Sequence, residues 1–298
     1  MLPEKVCSDQ WDMLSLKVGT RCSPLALIQA RLVERALAPY CARTDLVEVK
    51  TSGDIVSDVP LTEVGGKALF LKELEEKLLT GEIDIAVHSM KDVPAFYHDD
   101  LEVVPVLKRA IPNDVFVSFR YPNMLSLPNG AVIGTCAPRR VVQLNQRFRV
   151  IPLRGNIATR IEKAKNLDGI ILAFCALERL GLRRMISEVI HENVMLPGVA
   201  QGALCVEFRK KDRFLRELIL NISDRETIIC TAAERAFLEE INGDCKTALG
   251  ALAIVKNNIL YFTGMLAKDN RPRYFRTSGS CLNAKQVGRR AALALLRM

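Results

Sequence analysis

The sequence has no long apolar run, few aromatic residues and no Cys-x-x-Cys pair among its 298 residues. The longest apolar run, Gly169 to Leu177, is far shorter than the roughly 20 residues that a membrane-spanning helix needs. Glu4, Asp9 and Asp12 stand where a secretion signal would be basic and then apolar. These absences predict a soluble, cytoplasmic protein without a membrane partner.

The cysteines and the net charge further limit the kinds of protein and partner that the sequence allows. Nine cysteines without a zinc-binding spacing or a secretion signal predict reduced, mostly buried thiols and no metal site. A net charge of +8 permits nucleic-acid binding, but the aromatic content is only 6% and the basic residues are not interleaved with aromatics. We therefore expect no nucleic-acid partner. With 49% apolar residues, the chain is long enough for two or three domains.

The stretch from Val115 to Ile161 lacks lysine, aspartate and glutamate entirely but is rich in arginine. Its seven arginines are Arg120, Arg139, Arg140, Arg147, Arg149, Arg154 and Arg160. A guanidinium group pairs with carboxylate or phosphate through two parallel hydrogen bonds, whereas lysine is a flexible point charge. The bias predicts a small polyanionic partner. By their positions we expect Arg120, Arg147 and Arg149 to lie on the surface, and the other four to face a cleft.

Two segments of the chain share one pattern. Residues 17–29 and 132–143 each predict a strand ending in Gly-Thr, a polar turn with arginine, and an amphipathic helix. Each segment is followed by the same order of elements, namely strands 46–49 and 150–153, helices 68–79 and 157–166, and strands 83–87 and 169–173. This alternation predicts two similar α/β lobes with parallel sheets, and ligands bind such sheets beyond the carboxyl ends of their strands.

The connections predict how these lobes are joined. Crossovers are expected near 108–112 and 196–202, where proline and glycine permit a hinge. Beyond residue 220, a helix over 225–241, three strands between 249 and 277, and a helix over 283–296 predict a small α+β domain. The predicted domains are therefore 14–109 with 200–220 (lobe 1), 110–199 (lobe 2) and 221–298.

Three short motifs carry candidate chemistry, and each has a plainer alternative. Lys91 and Asp92 end an apolar strand, where they are either cleft residues or an idle surface ion pair. Gly65-Gly-Lys67 precedes a helix and is either an anion-binding lid or a flexible loop. Cys245 is either a displayed thiol or a buried filler, and its polar neighbours favour exposure.

Five motifs, in this order along the chain, closely resemble the porphobilinogen deaminase (hydroxymethylbilane synthase) family. They are Gly-Thr-Arg-Cys-Ser-Pro-Leu-Ala-Leu at 19–27, Gly-Gly-Lys-Ala-Leu-Phe-Leu-Lys-Glu-Leu-Glu at 65–75, Ala-Val-His-Ser-Met-Lys-Asp-Val-Pro at 86–94, Leu-Arg-Gly-Asn-Ile-Ala-Thr-Arg at 153–160 and Leu-Pro-Gly-Val-Ala-Gln-Gly-Ala at 196–203. The resemblance runs from about residue 16 to the C-terminus.

The resemblance implies an α/β fold of two similar periplasmic-binding-protein-like lobes around a cleft, with a small α+β C-terminal domain. It also implies a monomeric transferase of tetrapyrrole (haem) biosynthesis. Such an enzyme joins four porphobilinogen molecules head to tail into hydroxymethylbilane and releases ammonia. Its primer is a dipyrromethane cofactor, held by a thioether that the resemblance places on Cys245. Each pyrrole carries an acetate and a propionate, which is the polyanion that the arginines would bind.

Carried over by motif position, the resemblance assigns a role to each candidate residue. Asp92 is the catalytic aspartate, and Lys67 belongs to the lid over the substrate. The cofactor's acid groups are held by Lys91, Arg139 and Arg140. The substrate path is lined by Arg21, Ser23, Arg154, Arg160 and Arg179.

The sequence departs from the family pattern in three places. Residues 243–250 read Gly-Asp-Cys-Lys-Thr-Ala-Leu-Gly, where the family pattern is Gly-Gly-Cys-Gln-Val-Pro-Ile-Gly. Residues 134–140 read Gly-Thr-Cys-Ala-Pro-Arg-Arg, where the family pattern is Gly-Thr-Ser-Ser-Leu-Arg-Arg. Ala110 and Ile111 replace an acidic pair after Arg109. These changes leave open an alternative, a two-lobed protein that binds pyrroles or polycarboxylates with low activity. Cys22 and Cys136, in the cleft turns, are either prone to oxidation or buried and inert.

Overall fold

A computed structural model describes residues 14–51, 71–144, 147–244 and 246–298. Lys67, the first residues of the predicted helix 68–79, and Cys245 lie outside the described residues. Within the described ranges, no helix is both long enough and apolar enough to cross a membrane.

The elements follow the predicted order of strands and helices. The first part of the chain contains β1 Ser15–Arg21, α1 Pro24–Leu37, β2 Arg43–Val49, α2 Lys72–Thr80, β3 Ile85–Ser89 and β4 Leu101–Val106. The second contains β5 Asp114–Val117, β6 Val132–Gly134, α3 Pro138–Leu144, β7 Arg149–Ile151, α4 Ile157–Ala164, β8 Gly169–Ala173, α5 Phe174–Arg179 and β9 Glu188–Val189. The last contains β10 Leu204–Arg209, α6 Arg213–Asn221, α7 Arg225–Ile241, β11 Leu249–Lys256, β12 Ile259–Lys268, β13 Arg271–Ser280 and α8 Ala284–Arg297.

Local sequence explains where two helices at the cleft begin. The Ser23 side chain accepts a hydrogen bond from the Ala26 amide and Pro24 opens α1, so the first turn is satisfied at little conformational cost. In the other lobe, Asn156 Oδ1 accepts from the Thr159 amide at 2.9 Å and begins α4. Both caps therefore stand in the turns that the repeated pattern predicts.

The two lobes have the same sheet topology. Lobe 1 has the strand order β2-β1-β3-β10-β4 and lobe 2 has the order β7-β6-β8-β5-β9. In each sheet the first three strands are parallel, and the fourth, β10 or β5, is antiparallel to its neighbours. Each of the predicted parallel sheets therefore contains one antiparallel strand. The antiparallel strand arises because β5 and β10 enter their sheets from the opposite lobe, without a helical crossover between parallel strands.

The C-terminal domain is an antiparallel sheet, β11-β12-β13, covered by α7 and α8. The two helices approach closely at Gly288, where an added Cβ would lie 1.9 Å from the Ala233 carbonyl oxygen. This domain shares one buried cluster with lobe 1, which joins Met90 and Val93 to Phe237. A second cluster joins it to lobe 2. The C-terminal domain therefore packs against both lobes.

The predicted crossovers are present, between β4 and β5 and between β9 and β10. The three sheets occupy 15–106 with 204–209, 114–189, and 249–280. The fold is thus the predicted pair of similar lobes with a small C-terminal domain, while the finer domain limits stay a prediction.

Candidate functional site

Asp92 lies in a pocket at the carboxyl ends of β1 and β3. The same pocket is lined by Arg21 and Ser23 from the first turn, and by His88 and Ser89 from the end of β3. Three residues predicted from two separate motifs, Arg21 and Ser23 from one and Asp92 from the other, are therefore brought together. Parallel strands end at one edge of a sheet, so residues distant in sequence meet there.

The turn that carries Lys91 and Asp92 is fixed from behind. Met90 is 5% exposed and Val93 is 2% exposed, and both belong to the core shared with the C-terminal domain. Lys91 and Asp92 themselves are exposed. The backbone is thus held by buried neighbours, while both charged side chains remain accessible to a ligand.

On lobe 2, Arg139 and Arg140 are buried and share one carboxylate, that of Asp114 at the start of β5. Arg139 donates from Nη1 and Nη2 to the two Asp114 oxygens, and Arg140 Nη2 donates to Oδ1 at 2.7 Å. Burial alone would raise the pKa of Asp114, but Arg139 and Arg140 hold it far below its usual range. The carboxylate is therefore ionised at neutral pH and fixes both guanidinium groups.

The predicted contact of Arg139 with a cofactor stays a prediction, and its surroundings in the protein are already crowded with acceptors. Both of its terminal nitrogens are already engaged, since they also donate to the Leu196 carbonyl and to Gln201 Oε1. The arginine-rich stretch has no acidic residue of its own, yet Asp114 immediately precedes it. A carboxylate that opens an otherwise apolar, fully buried strand needs a cationic partner. That signal could have identified Asp114 from the sequence.

Two buried arginine N–H groups have no acceptor among the residues that the structure describes. They are Arg140 Nε and Arg154 Nη1. Buried polar groups are almost always hydrogen-bonded, and the exceptions commonly mark a ligand or water site. A carboxylate-bearing ligand would supply the missing acceptors. The donor set therefore fits a polycarboxylate, which is the chemistry of a dipyrromethane.

Arg160 connects the two faces electrostatically. Its Nε donates to the Gly155 carbonyl at 2.6 Å. Burial lowers the pKa of Arg160 most, Arg140 and Arg154 lower it further, and Asp92 from the other lobe acts to raise it. The Asp92 carboxylate of lobe 1 therefore acts electrostatically on the arginine face of lobe 2.

Arg179 lies apart from the Asp92 pocket. Its Nη2 donates to the Gly202 carbonyl at 2.7 Å, and its side chain lines a separate groove with Lys108 and Ala110 at the first crossover. Burial lowers the pKa of Arg179. The structure thus does not bring this predicted substrate residue to Arg21 and Asp92.

The residues on either side of Cys245 are joined by hydrogen bonds. Asp244, which replaces the usual glycine, accepts hydrogen bonds at Oδ1 from the Lys246 and Thr247 amides, both at 3.0 Å, and from Thr247 Oγ1 at 2.8 Å. An aspartate that bonds the backbone two and three residues on builds a turn by itself. This departure from the family pattern therefore has a structural role.

The remaining predictions concern the surface and the thiols. Arg120, Arg147 and Arg149 are exposed, as expected. Of the seven described cysteines, three are buried, three are intermediate and Cys136 is exposed, so the expectation of mostly buried thiols is wrong. Cys22 is partly buried. Of the two cleft thiols, Cys136 is the one accessible to oxidants.

An exposed carboxylate on lobe 1, and buried arginine N–H groups on lobe 2 that have no acceptor among the described residues, define a two-lobed α/β protein with a candidate anion-binding face. Residues 16–217 match the family model described as porphobilinogen deaminase, dipyromethane cofactor binding domain, and residues 228–297 match the model of the C-terminal domain. The chain belongs to the porphobilinogen deaminase family.

Curated relatives agree over nearly the whole length. The porphobilinogen deaminase of Ehrlichia canis (strain Jake) is 45% identical, with 92% of this chain and 95% of the relative covered. That of Wolbachia sp. subsp. Drosophila simulans (strain wRi) is 42% identical, with 94% and 98% covered.

Two of the solved structures with a similar fold are substrate-binding proteins. A periplasmic substrate-binding protein from Coxiella burnetii has a TM-score of 0.45 at 14% identity, covering 74% of this chain and 96% of that chain. The methionine-binding protein MetQ has a TM-score of 0.44 at 11% identity, covering 70% and 89%. Similarity of this degree carries no argument about function.

Proposed function

We propose that this protein is a hydroxymethylbilane synthase, a transferase that condenses four porphobilinogen molecules into hydroxymethylbilane and releases ammonia. The observation that carries the proposal is the pair of buried arginine N–H groups that lack an acceptor among the described residues, on a face where the Asp92 carboxylate acts electrostatically on Arg160. Family membership supports the same reaction. A cytoplasmic location and a monomeric state remain part of the proposal.

The dipyrromethane cofactor would be held by four residues. Cys245 forms the thioether, Lys91 and Arg140 pair with the acid groups, and Arg139 supports Arg140 from behind, while Arg154 binds the acid groups of the substrate. When bound, the cofactor supplies the terminal pyrrole to which the first substrate is joined. Arg139 supports this face indirectly, because Asp114, Gln201 and the Leu196 carbonyl occupy its terminal nitrogens.

Asp92 carries the chemistry. Its exposed carboxylate accepts hydrogen bonds from pyrrole N–H groups and stabilises the cation that forms when porphobilinogen loses its amine. It then removes the proton from the ring carbon at which the new bond forms. Arg21 and Ser23 line the same pocket and bind the acid side chains of the incoming substrate. Arg160 lies along the elongation path, and Lys67 serves the lid.

The alternative, a pyrrole-binding protein with low activity, rested on the altered loops. The Asp244 turn weakens that argument, since the substituted residue builds the loop. Arg179 is the residue whose proposed substrate contact has least support, because it lies in the separate groove at the crossover. We assign it to the path of the growing chain and not to the Asp92 pocket.

Intact mass spectrometry of the purified protein tests the proposal. We expect a mass excess equal to one dipyrromethane, lost in Cys245→Ser and kept in Cys281→Ser, a matched control at a partly exposed cysteine of the same domain. Porphobilinogen should then be converted to hydroxymethylbilane. An unmodified wild-type chain that leaves porphobilinogen unchanged would refute the transferase.

A further inference from the structure

Three successive residues of the second crossover, Ala200, Gln201 and Gly202, are the point where all three parts of the molecule meet. The Ala200 amide donates to Glu234 Oε2 of the C-terminal domain at 2.6 Å. The Gly202 carbonyl accepts from the Ala110 amide of the first crossover at 3.3 Å. A change in the angle between the lobes must therefore rearrange this junction.

The side chain of Gln201 extends from the junction to the arginine face of lobe 2. It is 1% exposed. Its Nε2 donates to the Pro112 carbonyl at 2.6 Å and to Asp114 Oδ1 at 2.9 Å, while its Oε1 accepts from Arg139 Nη2 at 3.1 Å. Only an amide side chain both donates to the carboxylate and accepts from the guanidinium at this position.

The other side of the junction is equally fixed. Arg109 Nε donates to the Gln201 carbonyl at 2.8 Å, and its terminal nitrogens make two hydrogen bonds with Glu234 at 2.6 and 3.0 Å. Glu234 is completely buried. A continuous hydrogen-bonded path therefore runs from α7 through both crossovers to Asp114, the carboxylate that also holds Arg140.

We propose that Gln201 is a positioning residue for the cleft: it fixes the Asp114–Arg139 pair to the hinge and thereby holds Arg140 in the orientation that leaves its Nε free for a ligand carboxylate. The argument rests on the proposed function only for the identity of the ligand. Asp114 Oδ1 accepts from Gln201, Arg139 and Arg140 at once. Loss of one donor changes how the remaining two arginines share the carboxylate.

The test compares Gln201, in the second crossover, with Gln143, in lobe 2. Gln201→Leu removes the amide from the arginine network. Gln143→Leu is the matched control, because Gln143 makes partly buried hydrogen bonds with the backbone of Leu196 and with the Arg139 carbonyl, and none with an arginine side chain among the described residues. Steady-state KM and kcat for porphobilinogen are measured with both variants of the full-length protein, alongside thermal unfolding midpoints.

We expect Gln201→Leu to raise KM about tenfold or more, with a smaller change in kcat, because the lost contact orients a binding group. Gln143→Leu should lower the unfolding midpoint to a similar degree and leave KM unchanged. Equal KM values for the two variants would overturn the proposal, since a merely structural role changes the folded fraction and not the affinity of folded molecules.

Two further measurements keep the proposal open to refutation. If Gln201→Leu does not fold, Gln201→Glu replaces it. Its ionised carboxylate accepts from Arg139 but cannot donate to Asp114, so KM should again rise. A wild-type KM would refute the role.

Calorimetric binding of porphobilinogen in an Asp92→Asn background needs no turnover. An inactive wild type refutes the transferase alone, whereas an unchanged Kd on adding Gln201→Leu refutes the positioning role alone.

Discussion

Asp92 and Asp114 are carboxylates at the polar edges of two similar sheets, yet their surroundings are opposite. Asp92 is exposed on a turn whose neighbours are buried, and Asp114 is fully buried with three donors. Lobe 1 leaves its carboxylate accessible for chemistry, whereas lobe 2 uses its carboxylate to hold arginines. A substitution on lobe 1 should therefore affect the reaction, and a substitution on lobe 2 should affect folding as well.

Asp92→Asn gives the sharpest form of this comparison. Turnover should fall by about 10²- to 10⁴-fold, as expected for the loss of a general acid–base group. The free energy of unfolding should change by no more than about 0.5 kcal/mol because the side chain is exposed. Kinetic assays and urea titrations measure both quantities, and mass spectrometry should find the cofactor still attached. Asp99→Asn, at another exposed aspartate of lobe 1, should leave both unchanged. Normal turnover in Asp92→Asn would remove the assigned role.

Asp114→Asn should produce the opposite pattern. Removing one partner of a buried ion pair costs about 3 to 5 kcal/mol of unfolding free energy. Since Arg139 and Arg140 lower the pKa of Asp114 in the folded state, its stabilisation is complete above the unfolded pKa of about 3.9 and is lost as the pH falls further. The difference between wild type and variant in urea unfolding should thus be largest near neutral pH and shrink below about pH 4. A difference that does not depend on pH would contradict the ion-pair explanation.

Arg154→Lys separates binding geometry from charge on the arginine face. Lysine keeps the positive charge but loses the planar fork, so the hydrogen bond offered by Nη1 is lost. A charge-assisted hydrogen bond is worth about 1.5 to 3 kcal/mol, which predicts a rise in KM of roughly 10- to 100-fold. Arg120→Lys is the matched control on the same lobe, because Arg120 is exposed. Equal KM values for the two variants would show that Arg154 does not contact the substrate or cofactor.

Glu75→Gln tests whether a partly buried carboxylate destabilises lobe 1, in contrast to Asp114 of lobe 2, whose ionised form is stabilised by two arginines. Burial, and then the nearby Glu207, raise the pKa of Glu75, so its ionised form opposes folding at neutral pH. The variant should raise the unfolding midpoint by about 1 to 3 °C near neutral pH. The gain should vanish below about pH 4.3, where the wild-type side chain is protonated as well. Glu76→Gln, at an exposed neighbour on the same helix, should have no such effect. A lower midpoint would mean that Glu75 makes a favourable contact as an ion.

The sequence predicted local elements better than the contacts between them. The strand 169–173 and the helix 225–241 were predicted with the bounds that the structure has, because each is a strongly patterned segment with clear end signals. The meeting of Arg21, Ser23 and Asp92 was predicted as well, since parallel strands end at one edge. The Asp114–Arg139 pair, the Gln201 junction and the Arg109–Glu234 pair were not. They join residues far apart in sequence, and nothing in either local segment specifies the partner.

The antiparallel position of β10 has a consequence for the order of folding. All five strands of the lobe 2 sheet lie between residues 114 and 189, so this sheet is continuous in the chain. The lobe 1 sheet lacks its fourth strand until residues 204–209 are present, and β3 and β4 pair with that strand and not with each other. During synthesis from the N-terminus, the second lobe can therefore complete its sheet first. Lobe 1, which carries Asp92, is synthesised first, but its sheet is completed after that of lobe 2. The arginine face of lobe 2 can therefore be folded before lobe 1 is complete.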